Sequence, residues 1–195
     1  LPDSQGHFAG QDAEQQRQRL LAQLPAGTDE FELQRALPGQ RTGGDQCPTN
    51  GLFIGADNLI LDCLGFIING SNDGSSYGID IGSYNNVTIK NCTISDFYKG
   101  IYVSGTSADI VLDNNTFVNN ARTDIEATST ASFVNITDSY FSGGAHDGHA
   151  VLLSGNNVYL AGNTIVNIFG SSGVVGGLVV TGTGFVVRDN VGLGN

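Results

Sequence analysis

Methionine and tryptophan are absent from this 195-residue chain, proline occurs only 4 times, and charged side chains make up 14% of it. Each scarcity excludes something. Without a methionine the sequence reads as a mature or trimmed chain, from which a secretory leader would already be gone. Only 8 basic residues stand against 19 acidic ones, a net charge of -11, so no basic stripe exists to neutralise phosphates and nucleic acid is excluded as a partner. No apolar run approaches the roughly 20 residues of a membrane span. What is abundant is 28 glycines, with many Asn, Ser and Thr, in a chain that is 39% hydrophobic. That composition suits one domain with one core and frequent tight turns rather than long helices.

Cysteine is scarce too, and the three that occur, Cys47, Cys63 and Cys92, do not form the even framework of a small disulfide scaffold. Cys47 lies just before the first regular unit and Cys63 inside it, which makes them the candidate pair; three buried thiols are the alternative. Sequons at Asn69, Asn86, Asn91, Asn114 and Asn135 permit glycosylation in a suitable host without showing it.

From residue 51 onward the chain divides into comparable units, which begin GLFIGADNLILDCLGF, GIDIGSYNNVTIKNCTI, GIYVSGTSADIVLDNNTF, DIEATSTASFVNITDSYF, AVLLSGNNVYLAGNTI and GLVVTGTGFVVRDNV. Their period is roughly 22 to 28 residues, the length of one three-sided coil. Each unit holds three short stretches of alternating residues, and the alternation says which side chains point inward. On the first face the inward columns are Leu52, Ile79, Ile101, Ile125, Val151 and Leu178, and beside them Ile54, Ile81, Val103, Ala127, Leu153 and Val180. On the second they are Leu59, Val87, Ile110, Val134, Val158 and Phe185, paired with Leu61, Ile89, Leu112, Ile136, Leu160 and Val187. The third is Phe66, Ile94, Phe117, Phe141 and Ile165. A polar corner follows the second face: Asn91-Cys92, Asn114-Asn115, Asp138-Ser139, Gly162-Asn163 and Asp189-Asn190. Asn tolerates left-handed backbone angles there, and its amide can bond the next coil. An all-β, single-stranded parallel β-helix of about six coils follows, occupying 51–195.

The stretches CPTNGLFIGADNLILDCLGF and NNVTIKNCTISDFYKGIYVSG resemble the right-handed β-helix superfamily of pectate lyases and its short-repeat relatives, among them periplasmic maturation proteins and archaeal and bacterial surface proteins. The resemblance covers about residues 45–195 and specifies fold rather than chemistry. It implies a right-handed coil and an N-terminal cap, helical or irregular, over the first coil. Residues 1–50 fit such a cap or an assembly arm: Asp12 and Gln15 form a capping box opening a helix over about 12–24, with Leu20, Leu21 and Leu24 on its apolar face and Pro25 and Gly27 closing it. A partly disordered leader is the alternative. FELQRAL reads as an irregular strand or a second short helix.

Insertions fall mainly between the third face of one coil and the first face of the next, where they form one rim carrying Asp73, Tyr98, Lys99, Arg122, His146, Asp147 and His149. Beside that rim the outward positions of the first face are Phe53, Asp80, Tyr102, Glu126, Leu152 and Val179. The resembled lyases, hydrolases and epimerases bind uronate chains at this location. Lyase or epimerase chemistry would need a cation for the uronate carboxylate, Lys99 or Arg122; a base for the C5 proton, His149; and an acid, Tyr102. Hydrolysis would need Asp80 and Glu126 as a pair, two coils apart and roughly 9–10 Å from each other. Against these readings stand the lack of a paired-Asp motif, DGHA in place of Gly-His-Gly, no Arg-x-Lys element and no acidic calcium cluster. His146, Asp147 and His149 are metal-ligand candidates on one Gly-rich loop, with a solvated loop tip as the plainer reading. No cofactor is expected.

The last unit, GFVVRDNVGLGN, is followed by no helix, charged strand or long loop, and an uncovered end of a β-helix is an open row of backbone donors and acceptors; a truncated chain, or Val191 to Asn195 folded over the end, is the alternative. Leu178, Val180, Phe185 and Val187 are its assembly candidates. Arg17, Arg19, Arg35 and Arg41 in the N-terminal segment complement a coil body with Lys90, Lys99, Arg122 and Arg188 against 12 carboxylates. The leading expectation is therefore a secreted or cell-surface structural module that associates with copies of itself, end to end into a filament. A uronate lyase or epimerase and a non-catalytic glycan-binding module are the alternatives, with polysaccharide as partner.

Overall fold

The computed structural model describes residues 47, 50–72, 74–143, 149–168 and 177–193. These residues form 18 strands and no helix, arranged as three parallel sheets, each 6 strands deep, so that every third strand in the chain pairs with its predecessor. The first sheet holds Leu52–Phe53, Tyr77–Asp80, Lys99–Val103, Thr123–Ala127, Val151–Leu153 and Leu178–Val180. The second runs from Leu59–Asp62 to Val186–Arg188 and the third from Ile67–Asn69 to Val191–Leu193. The architecture is the expected parallel β-helix. Among the described residues no helix is long and apolar enough to cross a membrane. The expected helix at 12–24 and the four arginines before residue 47 lie outside the described residues.

Both columns of the first and second faces stack in the expected register. Ile89, Leu112, Ile136, Leu160 and Val187 are consecutive partners on the second sheet, and all but Val187 are buried. A fully buried Leu, Ile or Phe contributes about 1.5–3 kcal/mol, so these columns and the third-face Phe117–Phe141 stack, with rings parallel at 5.0 Å, supply the core. On the third face one member differs from expectation. Ile68, not Phe66, partners Ile94. The first coil carries two extra corner residues, Leu64 and Gly65, both with positive φ (53° and 85°), which advance the strand and leave Phe66 half-buried at the corner.

The corners follow one rule. Between the first and second sheets the in-register residues are Asn58, Asn86, Asp109, Phe133, Asn157 and Gly184, all at φ between 52° and 68°. Between the second and third come Asn91, Asn114, Asp138, Gly162 and Asp189, and between the third and first Asp96, Asn119, Gly143 and Asn167, again all left-handed. Asn, Asp and Gly tolerate this region. Phe133 is the exception, and the left-handed conformation costs such a residue about 1–2 kcal/mol.

Just inside the second corner a polar ladder crosses the coils. The Cys92 N–H donates to Asn115 Oδ1 (3.0 Å), the Asn115 N–H to Ser139 Oγ (3.1 Å), the Ser139 N–H to Asn163 Oδ1 (3.0 Å) and the Asn163 N–H to Asn190 Oδ1 (2.9 Å). The amides of Asn115 and Asn163 donate in turn to the carbonyls of Ile89 and Ile136, two coils' worth of backbone drawn together without a buried orphan. At the first two coils a disulfide takes over this role, and it is not the expected one. Cys63 bonds Cys92, with Cα atoms 4.8 Å apart, the separation of neighbouring coils at a shared corner. Cys47 is free, because it bridges to Gly70 at the far end of the third sheet, a different corner from Cys63. Burial pushes the Cys47 thiol up.

The disulfide closes a loop of 29 residues, for which unfolded-chain entropy gives a stabilisation of about 3–4 kcal/mol. Urea denaturation of Cys63→Ala/Cys92→Ala should show that loss, and Cys47→Ala should not. Equal losses from both variants would contradict the assigned pairing.

Candidate functional site

The outer surface of the first sheet is built from two rows. Tyr77, Lys99 and Thr123 are in register along one, and Asp80, Tyr102, Glu126 and Leu152 along the other. The repeated spacing YGID, KGIY and TDIE places a side chain of each row on three successive coils. Lys99 is the centre of the cluster they make. Its Nζ lies 2.9 Å from Glu126 Oε1, 3.9 Å from the centre of the Tyr102 ring and 5.3 Å from that of Tyr77, and its side chain is only 6% exposed. The two rings contact each other at 4.9 Å, tilted by 44°. The second oxygen of Glu126 faces the Thr123 hydroxyl at 3.5 Å.

Four of the sequence candidates, Lys99, Tyr102, Asp80 and Glu126, are thus brought together, with Asp80 and Glu126 on the coils either side of Tyr102. Arg122 lies near enough for its charge to act on Tyr102, and its guanidinium stands 5.7 Å from the Tyr98 ring. His149 is half-buried one coil beyond Thr123, since Asp124 N donates to the carbonyl of Ala150. His146, Asp147 and Asp73 lie outside the described residues, and among those described no three His, Cys, Asp or Glu side chains are grouped to hold a metal ion.

The electrostatics define what this arrangement can do. Burial pushes the Tyr102 phenol above its ordinary range, and the charges of Glu126 and Asp80 push it further, so it remains a hydrogen-bond donor through neutral pH. Burial also raises the Asp80 carboxyl, against the lowering effects of the Gly82 N–H (3.0 Å) and Lys99. The Lys99 charge is already matched by Glu126 and covered by two aromatic faces, so a uronate carboxylate would have to displace Glu126 to use it. Sequence reading missed Tyr77, whose signal was its register with Lys99.

It also missed Asp124. The residues one before the Leu52–Leu178 column of the first sheet form a further inward column, Gly51, Gly78, Gly100, Asp124, Ala150 and Gly177, where space is minimal: a Cβ on Gly78 would lie 2.6 Å from the Gly100 carbonyl. Asp124 is the one polar member. It is buried, and its Oδ1 accepts a hydrogen bond from Asn120 Nδ2 at 2.8 Å. Asn120 in turn accepts from the Phe97 N–H at 3.0 Å and donates to the Ile94 carbonyl at 3.2 Å. Desolvation pushes the Asp124 carboxyl up to about 8. Away from this face, a groove of about 290 Å³ at the second corner is lined by Leu64, Gly65, Asn91, Cys92, Thr93, Asn114 and Thr116, none of them a catalytic candidate.

Residues 48–191 match the family described as right handed beta helix region, and the chain belongs to that family. No curated protein and no solved structure gives a significant match. Membership accounts for the coils and their handedness and leaves the chemistry to the site.

Asp124 gives the fold a signed pH dependence. Below about pH 4 the carboxyl is protonated in both folded and unfolded chains. Between about 4 and 8 the unfolded chain has lost that proton and the folded one has kept it, so this group's contribution falls by about 1.4 kcal/mol per pH unit and is flat above. Asp124→Asn keeps an acceptor for Asn120 and removes the slope. The melting curves of the two proteins should meet near pH 4 and separate towards pH 8 with the variant higher; parallel curves over that range would rule the buried acid out.

Proposed function

We propose that this right-handed β-helix protein is an extracellular structural module that self-associates, the sixth coil of one copy stacking on the first coil of the next. The observation that carries the reading is where apolar surface is exposed. Among the described residues the exposed large hydrophobics are Phe53, Ile60, Leu64 and Ile67 on the first coil and Phe185, Val186, Val187, Val191 and Leu193 on the sixth, with only Phe133 and Tyr140 between. On the first coil they come from all three sheets and one corner, so they ring that end.

The two ends differ in their inward residues. Leu52, Ile54, Leu59 and Leu61 of the first coil are buried, whereas Phe185 and Val187 of the sixth, inward in register, are 52% and 43% exposed, and Leu178 and Val180 are half-buried. Among the described residues the three strands of the sixth coil are each the last of their sheet, paired with the fifth coil on one side only. Parallel edges of this kind template further strands. A contact between two different ends is heterologous, and one that does not close produces a fibre. The Cys63–Cys92 disulfide supports an oxidising, extracellular compartment.

A second reading, a uronate lyase, epimerase or glycan-binding face, is favoured by the convergence of Tyr77, Lys99, Tyr102, Asp80 and Glu126 on the first sheet. The Lys99–Glu126 pair weighs against the catalytic version, because the cation such chemistry needs is already neutralised.

Light scattering and electron microscopy of the purified protein should show linear particles that grow with concentration. Phe185→Asp/Val187→Asp places charge on the open end and should leave monomers, with the far-ultraviolet circular dichroism of the coil body retained. A wild type that stays monomeric at high concentration, or a folded variant that assembles as the wild type does, would overturn the proposal.

A further inference from the structure

The outer strands of the first and sixth coils carry side chains that fit each other in one register. On the outward side of the second sheet, Asp62 is followed coil by coil by Lys90, Asp113, Thr137, Ala161 and Arg188. The column opens with alternating charges, and Lys90 Nζ lies 3.3 Å from Asp62 Oδ2, so one coil step is within reach of an ion pair here. It begins on a carboxylate and ends on a guanidinium whose side chain is 60% exposed. A second copy that continued the stack would set its Asp62 beside Arg188, one step of about 4.8 Å further on.

The neighbouring columns close in the same way. Val186 ends the column that Ile60 begins, and Val179 ends the one that Phe53 begins. Ile60 and Phe53 are exposed, and in their own columns their neighbours are polar, Thr88 and Asp80. Inward, the exposed Val187 would be covered by Leu61, the first member of its column. A slip of one residue turns the inward side chains outward. A slip of two sets Arg188 against Ile60, or Val186 against Asp62, an apolar side chain beside a charge in either direction. Among the described residues only Cys47 pairs with the outer edge of the first coil, its N–H donating to the Asn69 carbonyl at 2.7 Å on the third sheet. The seat for a second copy therefore lies on the first and second sheets.

We propose that copies of this chain join in a single register, Val186–Arg188 of one on Ile60–Asp62 of the next, and that the Arg188–Asp62 ion pair selects it. This rests on the self-association proposed above and adds the register and the pair that fixes it. An exposed ion pair contributes little affinity by itself. Its effect is on which contact is accepted, because like charges set directly opposite each other repel.

Light scattering over a concentration series tests it, with circular dichroism to show that each variant is folded. Arg188→Glu brings two carboxylates together at the contact and Asp62→Lys two cations, and each alone should raise the concentration at which linear particles appear by about tenfold. An equal mixture of the two should assemble as the wild type does, because the altered ends then meet each other, the native ends meet each other, and both contacts join opposite charges. Arg188→Gln should fall between the wild type and Arg188→Glu, a grading by charge that decides the matter even where Asp62→Lys does not fold. A wild type that assembles while Arg188→Glu assembles equally well, or a mixture of folded variants that does not recover, would overturn the register and leave end-to-end association standing. A wild type that stays monomeric would remove both.

Discussion

A parallel β-helix must turn three times in every coil, and here most of those turns are made by a single residue swung into the left-handed region. The rest of the structure depends on that constraint. A corner of fixed length returns each strand to the register of the one below it, and only then do the inward side chains stack as columns and the backbone groups of one coil meet those of the next. The three left-handed columns are thus the cause of the apolar ones. Asn and Asp dominate them because a short polar side chain tolerates the conformation and also bonds along the column, as Asn114 Nδ2 does to Asn91 Oδ1 at 2.8 Å and Asn86 Nδ2 to Asn58 Oδ1 at 2.8 Å.

The places where the rule is relaxed are the informative ones. Two extra residues at one corner of the first coil displace Phe66 from the core, and the Cys63–Cys92 bond holds the first and second coils together at that same corner. At the inward glycine column a carboxylic acid appears in one coil only, and it is held by an asparagine that also ties down the coil beneath. At the first corner an aromatic ring stands where a polar residue would fit better. A stack of near-identical coils has no need of such departures for its own stability, which is why they are where function is sought.

The apolar columns were legible in the sequence because alternation with period two survives across five or six units, and the Asn-rich second corner was legible because its residues are adjacent in each repeat. The other two left-handed columns were not, since Asp109, Phe133 and Asn157 look unrelated until the register aligns them. Phe66 was misplaced because counting from the polar corner assumes a constant corner length. The cysteine pairing was misjudged for a related reason: nearness along the chain put Cys47 with Cys63, whereas a solenoid brings together residues one coil apart. On the candidate site, the rim and the outward row identified Lys99, Tyr102, Asp80 and Glu126, but residue types alone could not show that Lys99 would be spent on Glu126. Asp124 was read past because alternation assigns it outward, and the change of direction at the corner turns it in.

The dependence of the fold on left-handed corners is tested most directly by comparing glycine with alanine at one residue of each column, Asn86, Asn114 and Asn119. Both substitutions remove the same amide. At ordinary positions alanine is the better or equal residue, because glycine loses more entropy on folding. Here glycine should be the more stable of each pair by about 1 kcal/mol in urea denaturation, since alanine alone carries the left-handed penalty. Alanine variants as stable as their glycine counterparts at all three corners would contradict the account.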